Sequence, residues 1–235
     1  MEIDKTINKW FGEIEGRSKQ LGLPKNNIDR MILGSIPIID NYSNSVLMIL
    51  NDGSRLPAMA LLRVLAEFIL KLIYCLKADD SSVDKRIESW EKTSLIQRGK
   101  YYKDIIDIYH GCNRKNVHEW IDETESELAK IEGVDALPSV ATIFEQVFEK
   151  DYPVDRAGMY LQYLGAVHID LEVLAKTISK SGTEIEYKGD VSCNIEDLKF
   201  ECLTHAYIFF RHLYEYYSLD LQKIENEYKM LIPKN

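Results

Sequence analysis

The stretch Leu56 to Leu76, LPAMALLRVLAEFILKLIYCL, constrains the fold more than any other part of the chain. Its 21 residues are enough to cross a bilayer as a helix. Its eleven Leu, Ile, Val and Phe residues would gain roughly 3 to 7 kcal/mol on insertion, whereas Arg63, Glu67 and Lys71 near its middle would cost about 7 to 10. The charges outweigh the apolar gain, so no membrane span is expected. On a wheel of about 100° per residue the segment presents apolar side chains in every direction, which marks a helix surrounded by others. It is expected to start near Ser54, carry Pro57 in its first turn where a missing N–H costs nothing, and run to about Lys77.

The remaining pattern is helical almost throughout. Ile3, Ile7, Trp10, Phe11, Ile14 and Leu21 give a first helix over 4–21, expected at the periphery, before the breaker LGLPKNN. Gly34 and Pro37 interrupt the apolar run Ile28 to Ile39, so a helix ending or kinking at Ile36 and a second over 41–50 are expected, followed by a tight turn at NDGS. A long amphipathic helix follows over 83–110, then helices over 114–131, 139–149 and 155–180. The alternation in TEIEYKGDVSC reads as a small extended piece. The last helix, about 194–231, is the longest. The fold class is all-α: a single domain over 1–235, a helical bundle of about seven or eight helices around the central apolar one.

Composition supports a globular chain: 46% of its 235 residues are apolar and 29% charged. Thirty-eight acids against 29 bases leave a net charge of −9, which disfavours sequence-independent binding to nucleic acid or anionic membrane. Cys75, Cys112, Cys193 and Cys202 lack C-x-x-C spacing and read as free thiols. With no apolar leader in MEIDKTINKWFGEIEG, a cytoplasmic location is expected.

Polar groups on apolar faces are the functional candidates. Arg63 and Glu67 lie one turn apart beside Leu56, Met59, Leu70 and Tyr74, where burial demands that they be paired; a structural ion pair is the plainer reading and a ligand or catalytic site the sharper one. In DRAGMYLQYLGAVHIDLEVL, Arg156 and Tyr160 belong to an apolar stripe with His168 at its edge. Histidine is the side-chain type that titrates unassisted near neutrality, so His168 is a catalytic candidate with Arg63 and Glu67, while Tyr160, Tyr74 and Arg156 are ligand-binding candidates. Glu201, His205, His212 and Glu215 share one face of the last helix and are weak metal candidates, because the two histidines lie about 10 Å apart along the axis. A solvated boundary face explains them more simply, and no metal is expected. Tyr207, Phe210, Tyr214 and Tyr217 extend the apolar surface of that helix and suggest a homo-oligomer interface. The chain has no G-x-x-x-x-G-K-[ST], G-x-G-x-x-G or G-x-S-x-G, so no cofactor is expected.

The segments SRLPAMALLRVLAEFILKLIY, KRIESWEK and YLQYLGAVHIDLEVLA resemble a group of uncharacterised bacterial helical proteins, a domain of unknown function. Its L-x-R-x-x-x-E helix is matched by Leu61, Arg63 and Glu67, and its later Tyr/His helix by Tyr160 and His168. The resemblance spans about residues 40–220 and implies a helical bundle in which Arg63, Glu67 and His168 meet in a buried polar cluster. NRKNVHEW is weakly similar to HEPN-type helical ribonucleases, which carry Arg, four to six residues, then His; here Arg114 and His118 have three between them. The first reading is therefore a module that binds a partner protein or small ligand around that cluster. The alternative implied by the second resemblance is a helical ribonuclease or hydrolase of a bacterial defence or toxin-type system.

Overall fold

The computed structural model describes residues 2–21, 24–77, 82–108, 114–147, 178–181, 184–187 and 194–232. Among them are eight helices: α1 (Glu2–Leu21), α2 (Asn27–Asn51), α3 (Arg55–Leu76), α4 (Val83–Ile108), α5 (Arg114–Lys130), α6 (Val140–Val147), α7 (Ile195–Tyr216) and α8 (Gln222–Leu231). A two-stranded antiparallel hairpin, β1 (Ile178–Ser181) and β2 (Glu184–Tyr187), lies between α6 and α7 in the chain. The fold is an all-α helical bundle. No helix among the described residues is long and apolar enough to cross a membrane.

The apolar segment forms α3, and α2, α4, α6 and α7 all pack on it. Leu62, Leu65, Ile69, Leu72 and Ile73 are buried almost completely. Each contributes about 1.5–3 kcal/mol relative to an exposed side chain. The expectation that the first helix is peripheral is corrected: Ile7, Trp10, Phe11 and Ile14 of α1 are all buried in the same core. Trp10 and Phe11 meet the ring of Phe210 on α7 edge-on, at 5.8 and 4.8 Å between centroids.

The region 28–50 is one helix rather than two. Pro37 and Gly34 lie on its exposed side, where the carbonyl freed by proline can be hydrated. Ile32, Ile36 and Ile39 before and around the proline, and Val46, Leu47 and Leu50 after it, all reach the core. Burial on both sides of Pro37 overrides the local break. At the N-terminus the cap residue Asn26 accepts from the Asp29 N–H at 2.7 Å, and the Asp29 carboxylate accepts from the Lys25 N–H just before the cap at 2.8 Å.

The expected single helix over 194–231 is in fact α7 and α8. Ser218 takes a positive φ of 52°, the Ser218 N–H bonds to the Glu215 carbonyl at 3.2 Å, and the Leu219 N–H reaches Tyr214 O at 2.8 Å. That is a Schellman ending, with serine in the left-handed position that glycine usually occupies. The α2–α3 turn uses the same geometry at Gly53, φ 87°, and is the tight turn expected at NDGS. The ending at Ser218 lets α8 fold back, so that Tyr228 stacks on Tyr207 at 4.1 Å. The helix expected over 155–180 is corrected at its end, where 178–181 is strand with Ile178 opposite Tyr187. The period-two pattern of TEIEY favours pairing there over helix. Residues 155–177 lie outside the described residues.

Ser218 is exposed and pays a steric cost in the left-handed region that glycine avoids. Ser218→Gly is therefore expected to raise stability by roughly 0.5–1 kcal/mol, measured as a higher denaturation midpoint at unchanged slope. A neutral or lower midpoint would contradict the strained ending.

Candidate functional site

Helical spacing brings Arg63 and Glu67 together on one side of α3. The Arg63 Nε donates to Glu67 Oε1 at 2.7 Å, with the two side chains 16% and 22% exposed. Each is largely withdrawn from water but not sealed, which makes the pair stronger than a surface bridge and less costly than a fully buried one. Leu56 and Lys71 are half-buried, and Met59 and Leu70 buried. Tyr74 is engaged structurally: the Arg86 guanidinium lies 4.2 Å from its ring centroid and donates to its backbone carbonyl. That carbonyl belongs to the last turn of α3, where a cation also meets the negative end of the helix dipole. Arg156, Tyr160 and His168 lie outside the described residues, so the meeting of His168 with Arg63 and Glu67 remains a proposal.

The polar face of α7 divides into two groups. Glu201 is buried, a departure from the solvated face expected. The His205 Nδ1–H donates to the Glu201 carbonyl at 2.7 Å, which fixes its tautomer. Two turns on, Glu215 accepts from Arg211 Nε at 2.9 Å and lies 3.3 Å from His212 Nδ1. Burial lowers the affinity of His212 for a proton, and the nearby Lys77 and Arg211 add to the shift against the opposing pull of Glu215. Among the described residues no cluster of three His, Cys, Asp or Glu side chains could hold a metal.

Of the aromatic surface expected to form an interface, Phe210 and Tyr214 are used within the chain, which corrects the expectation for these two, while Tyr207 and Tyr217 are half-buried. Phe210 and Tyr214 are buried, against α1 on one side, and Tyr207 lies under Tyr228 of α8. Tyr217 OH and Tyr216 OH both point to Asp29 Oδ1, at 3.4 and 3.1 Å. Burial and the Asp29 carboxylate push the Tyr217 phenol up. On α8, Glu227 accepts from Trp10 Nε1 at 2.7 Å and from Lys9 Nζ at 2.6 Å. Desolvation raises its carboxyl, but these two bonds more than offset it and hold the group below its ordinary value.

Residues missed by the sequence reading stand on the α4–α5 pair. Gly99 faces Thr124, where a side-chain carbon would come within 3.6 Å of the threonine methyl. Arg98–Glu127 and Lys103–Glu125 bridge the two helices. Val117, Ile121 and Thr124 are buried there without joining the main core. An open groove of about 440 Å³ runs between the helices, lined by Ile96, Lys100, Asp104, Ile121 and Leu128 among others. Tyr101 and Ile108 are 62% and 69% exposed, and Ile96 and Trp120 are exposed as well. His118 is exposed on α5. The sequence signal was present as Tyr101, Tyr102 and Ile105 on α4; which of these the bundle would leave uncovered was not.

With this geometry in place, comparison with known proteins is informative at the family level. Residues 37–185, more than half of the chain, match a family of unknown function (DUF5677). The chain belongs to that family. Its matched region takes in most of α2, all of α3 to α6 and the first strand, and so includes the Arg63–Glu67 pair and the α4–α5 pair. No curated protein and no solved structure matches the chain.

Two outcomes follow. Arg63→Ala removes a charge partner of the partly buried Glu67 carboxylate and is expected to cost about 1–3 kcal/mol, between the exposed and buried cases, seen as a Tm lowered by about 3–10 °C. An unchanged Tm would exclude a structural role for the pair. His212 has a folded pKa below its unfolded value, so its contribution is present above the unfolded pKa of about 6.5 and lost as pH falls through the folded one. Denaturant titrations between pH 7.5 and 5.5 should show stability falling, and less steeply in His212→Gln. Parallel curves for the two proteins would contradict that role.

Proposed function

We propose that the chain is a protein-interaction module whose docking surface is the arm formed by α4 and α5. What supports the reading is the distribution of apolar surface. Nine large hydrophobic side chains are exposed among the described residues, and four of them, Ile96, Tyr101, Ile108 and Trp120, are on the arm. Tyr101, Tyr102 and Trp120 form a continuous row of rings, with centroids 6.0 and 5.5 Å apart. Aromatic side chains presented to water beside charged ones are the composition of interface centres. Among the described residues the arm is held to the bundle by one end: Trp90 packs on the core and against Phe68, whereas Val117 and Ile121 of α5 are buried beside α4 and outside that core. The Arg63–Glu67 pair then serves the rigidity of α3, the helix from which the arm is carried.

A photo-reactive residue placed at position 101, and in a control at Met48 on the exposed side of α2, tests this in the native host. A discrete cross-linked adduct at position 101, absent with the probe at 48, is expected. Equal labelling at the two positions, or none at 101, overturns the docking role of the arm.

A further inference from the structure

We infer that α8 is a strap that opens from the bundle as a unit about Ser218, with Glu227 as its latch, while the core around α3 stays folded. The helix is ten residues long, too short to hold its shape in water without a surface to lie on. That surface comes from α7 and α1. Ile224 is the one buried side chain of α8, and Leu221, Tyr228 and Leu231 are half-buried against the core. Met230 and Ile232 at its far end are 73% and 43% exposed. By contrast, α3 buries nine side chains. The apolar area that holds α8 down is a small part of what holds the bundle together, and an element of that kind opens before the whole.

The hinge lies at Ser218. Its positive φ of 52° is a cost carried in the closed position, where the Leu219 N–H reaches Tyr214 O. Rotation of this residue out of the left-handed region relieves that cost and swings α8 away. The residues after the hinge move as one body: the Asp220 carboxylate accepts from the Gln222 N–H at 3.0 Å, and the Gln222 side chain donates to Asn226 at 3.1 Å. The latch is polar and runs to α1. Glu227 accepts from Trp10 Nε1 and from Lys9 Nζ, one bond to each of its oxygens, and Lys223 one turn earlier pairs with Glu13 at 2.6 Å. Tyr228 seats the helix on α7, stacked between Tyr207 at 4.1 Å and Phe200 at 5.9 Å with its hydroxyl 3.1 Å from Thr204 Oγ1. Lifting α8 uncovers those two rings and leaves the Trp10 N–H without its acceptor. The open form therefore presents an aromatic face of α7 and α1 that the closed form hides.

Residue-resolved amide hydrogen exchange on the full chain tests this. The first α8 amide bonded within the helix is that of Glu225, to Leu221 O. Amides 225–231 should share one opening, with protection at least tenfold below that of α7 amides 202–213, and the opening should respond only weakly to low concentrations of urea, because it exposes little surface. Glu227→Gln should speed exchange across 225–231 by roughly tenfold, the effect of losing a charge-assisted bond. Lys223→Gln should speed it by about two- to fivefold, with α3 and α7 amides unchanged in both variants. Lys223 is exposed, so its variant folds whatever Glu227→Gln does. Ser218→Gly should slow exchange across 225–231, because the closed position loses its cost. Exchange of 225–231 at the rate and urea dependence of α7 overturns the strap, as does exchange graded inward from the C-terminal end, which is fraying. Variants in which α3 and α8 speed up together overturn the latch, and a Ser218→Gly protein with faster α8 exchange overturns the hinge.

Discussion

A helix that is apolar on every side can exist in water only if other helices enclose it, and α3 imposes that condition on the whole fold. Burial of Leu62, Leu65, Ile69, Leu72 and Ile73 requires partners at several angles, which α2, α4, α6 and α7 supply. The charges that bar α3 from a membrane are accommodated within the same constraint. Arg63 and Glu67 sit one turn apart, so each supplies the counter-charge that the other's partial burial demands. Their ion pair is a consequence of putting this sequence at the centre of a bundle.

Long cationic side chains then tie the surrounding helices at their carbonyl ends. Arg86 from α4 reaches Tyr74 O in the last turn of α3, and Lys77 just past α3 reaches Val147 O at the end of α6 at 2.7 Å. Lys92 of α4 bonds the carbonyls of Glu132 and Val134 after α5, while Thr93 beside it accepts from the Leu137 N–H at 2.7 Å. Each contact satisfies groups that a helix end or turn leaves open, and Arg86 and Lys77 also place positive charge at the negative poles of α3 and α6. An acidic chain therefore spends several of its bases on holding helix ends, and its net charge of −9 resides mainly in the exposed acids that remain.

The sequence was legible where periodicity and end signals agree. The bounds of α3, α5 and α6 and the Gly53 turn follow from apolar spacing, Pro57 and glycine. Local chemistry misled where distant packing decides. Pro37 marks a break by every local rule, yet α2 runs through it with one ladder bond missing on its exposed side, because the buried residues before and after it lie on one face. Ser218 carries no stop signal comparable to Gly53; the α7–α8 ending exists because Tyr228, Ile224 and Glu227 are better placed against Tyr207 and α1 than on a continued helix. The Asn26–Asp29 cap was readable as a side-chain signal at the right spacing, but the tyrosines that meet Asp29 come from nearly 190 residues away and no local pattern announces them. Of the candidate site, helical spacing foretold Arg63 with Glu67 because the contact is local. It could not foretell that Glu201 would be buried or that Tyr74 would lie under Arg86.

The treatment of the two aromatic surfaces gives the arm its meaning. On α7, Phe210 and Tyr214 are covered by α1, and a ten-residue helix folds back to place Tyr228 on Tyr207. That coverage is reinforced by Lys9, Trp10 and Glu227 in one hydrogen-bonded group. On α4 Val83 and Trp90 are enclosed in the same way, and further along Tyr101 and Ile108 lie in water. Polar residues at those two positions would cost α4 nothing in helix formation and would remove exposed apolar area. Tyr101 and Ile108 follow the exposed polar residues Ser94, Gln97 and Arg98 on the same face, so the far half of α4 presents an apolar surface of its own, separate from the part that docks it to the bundle.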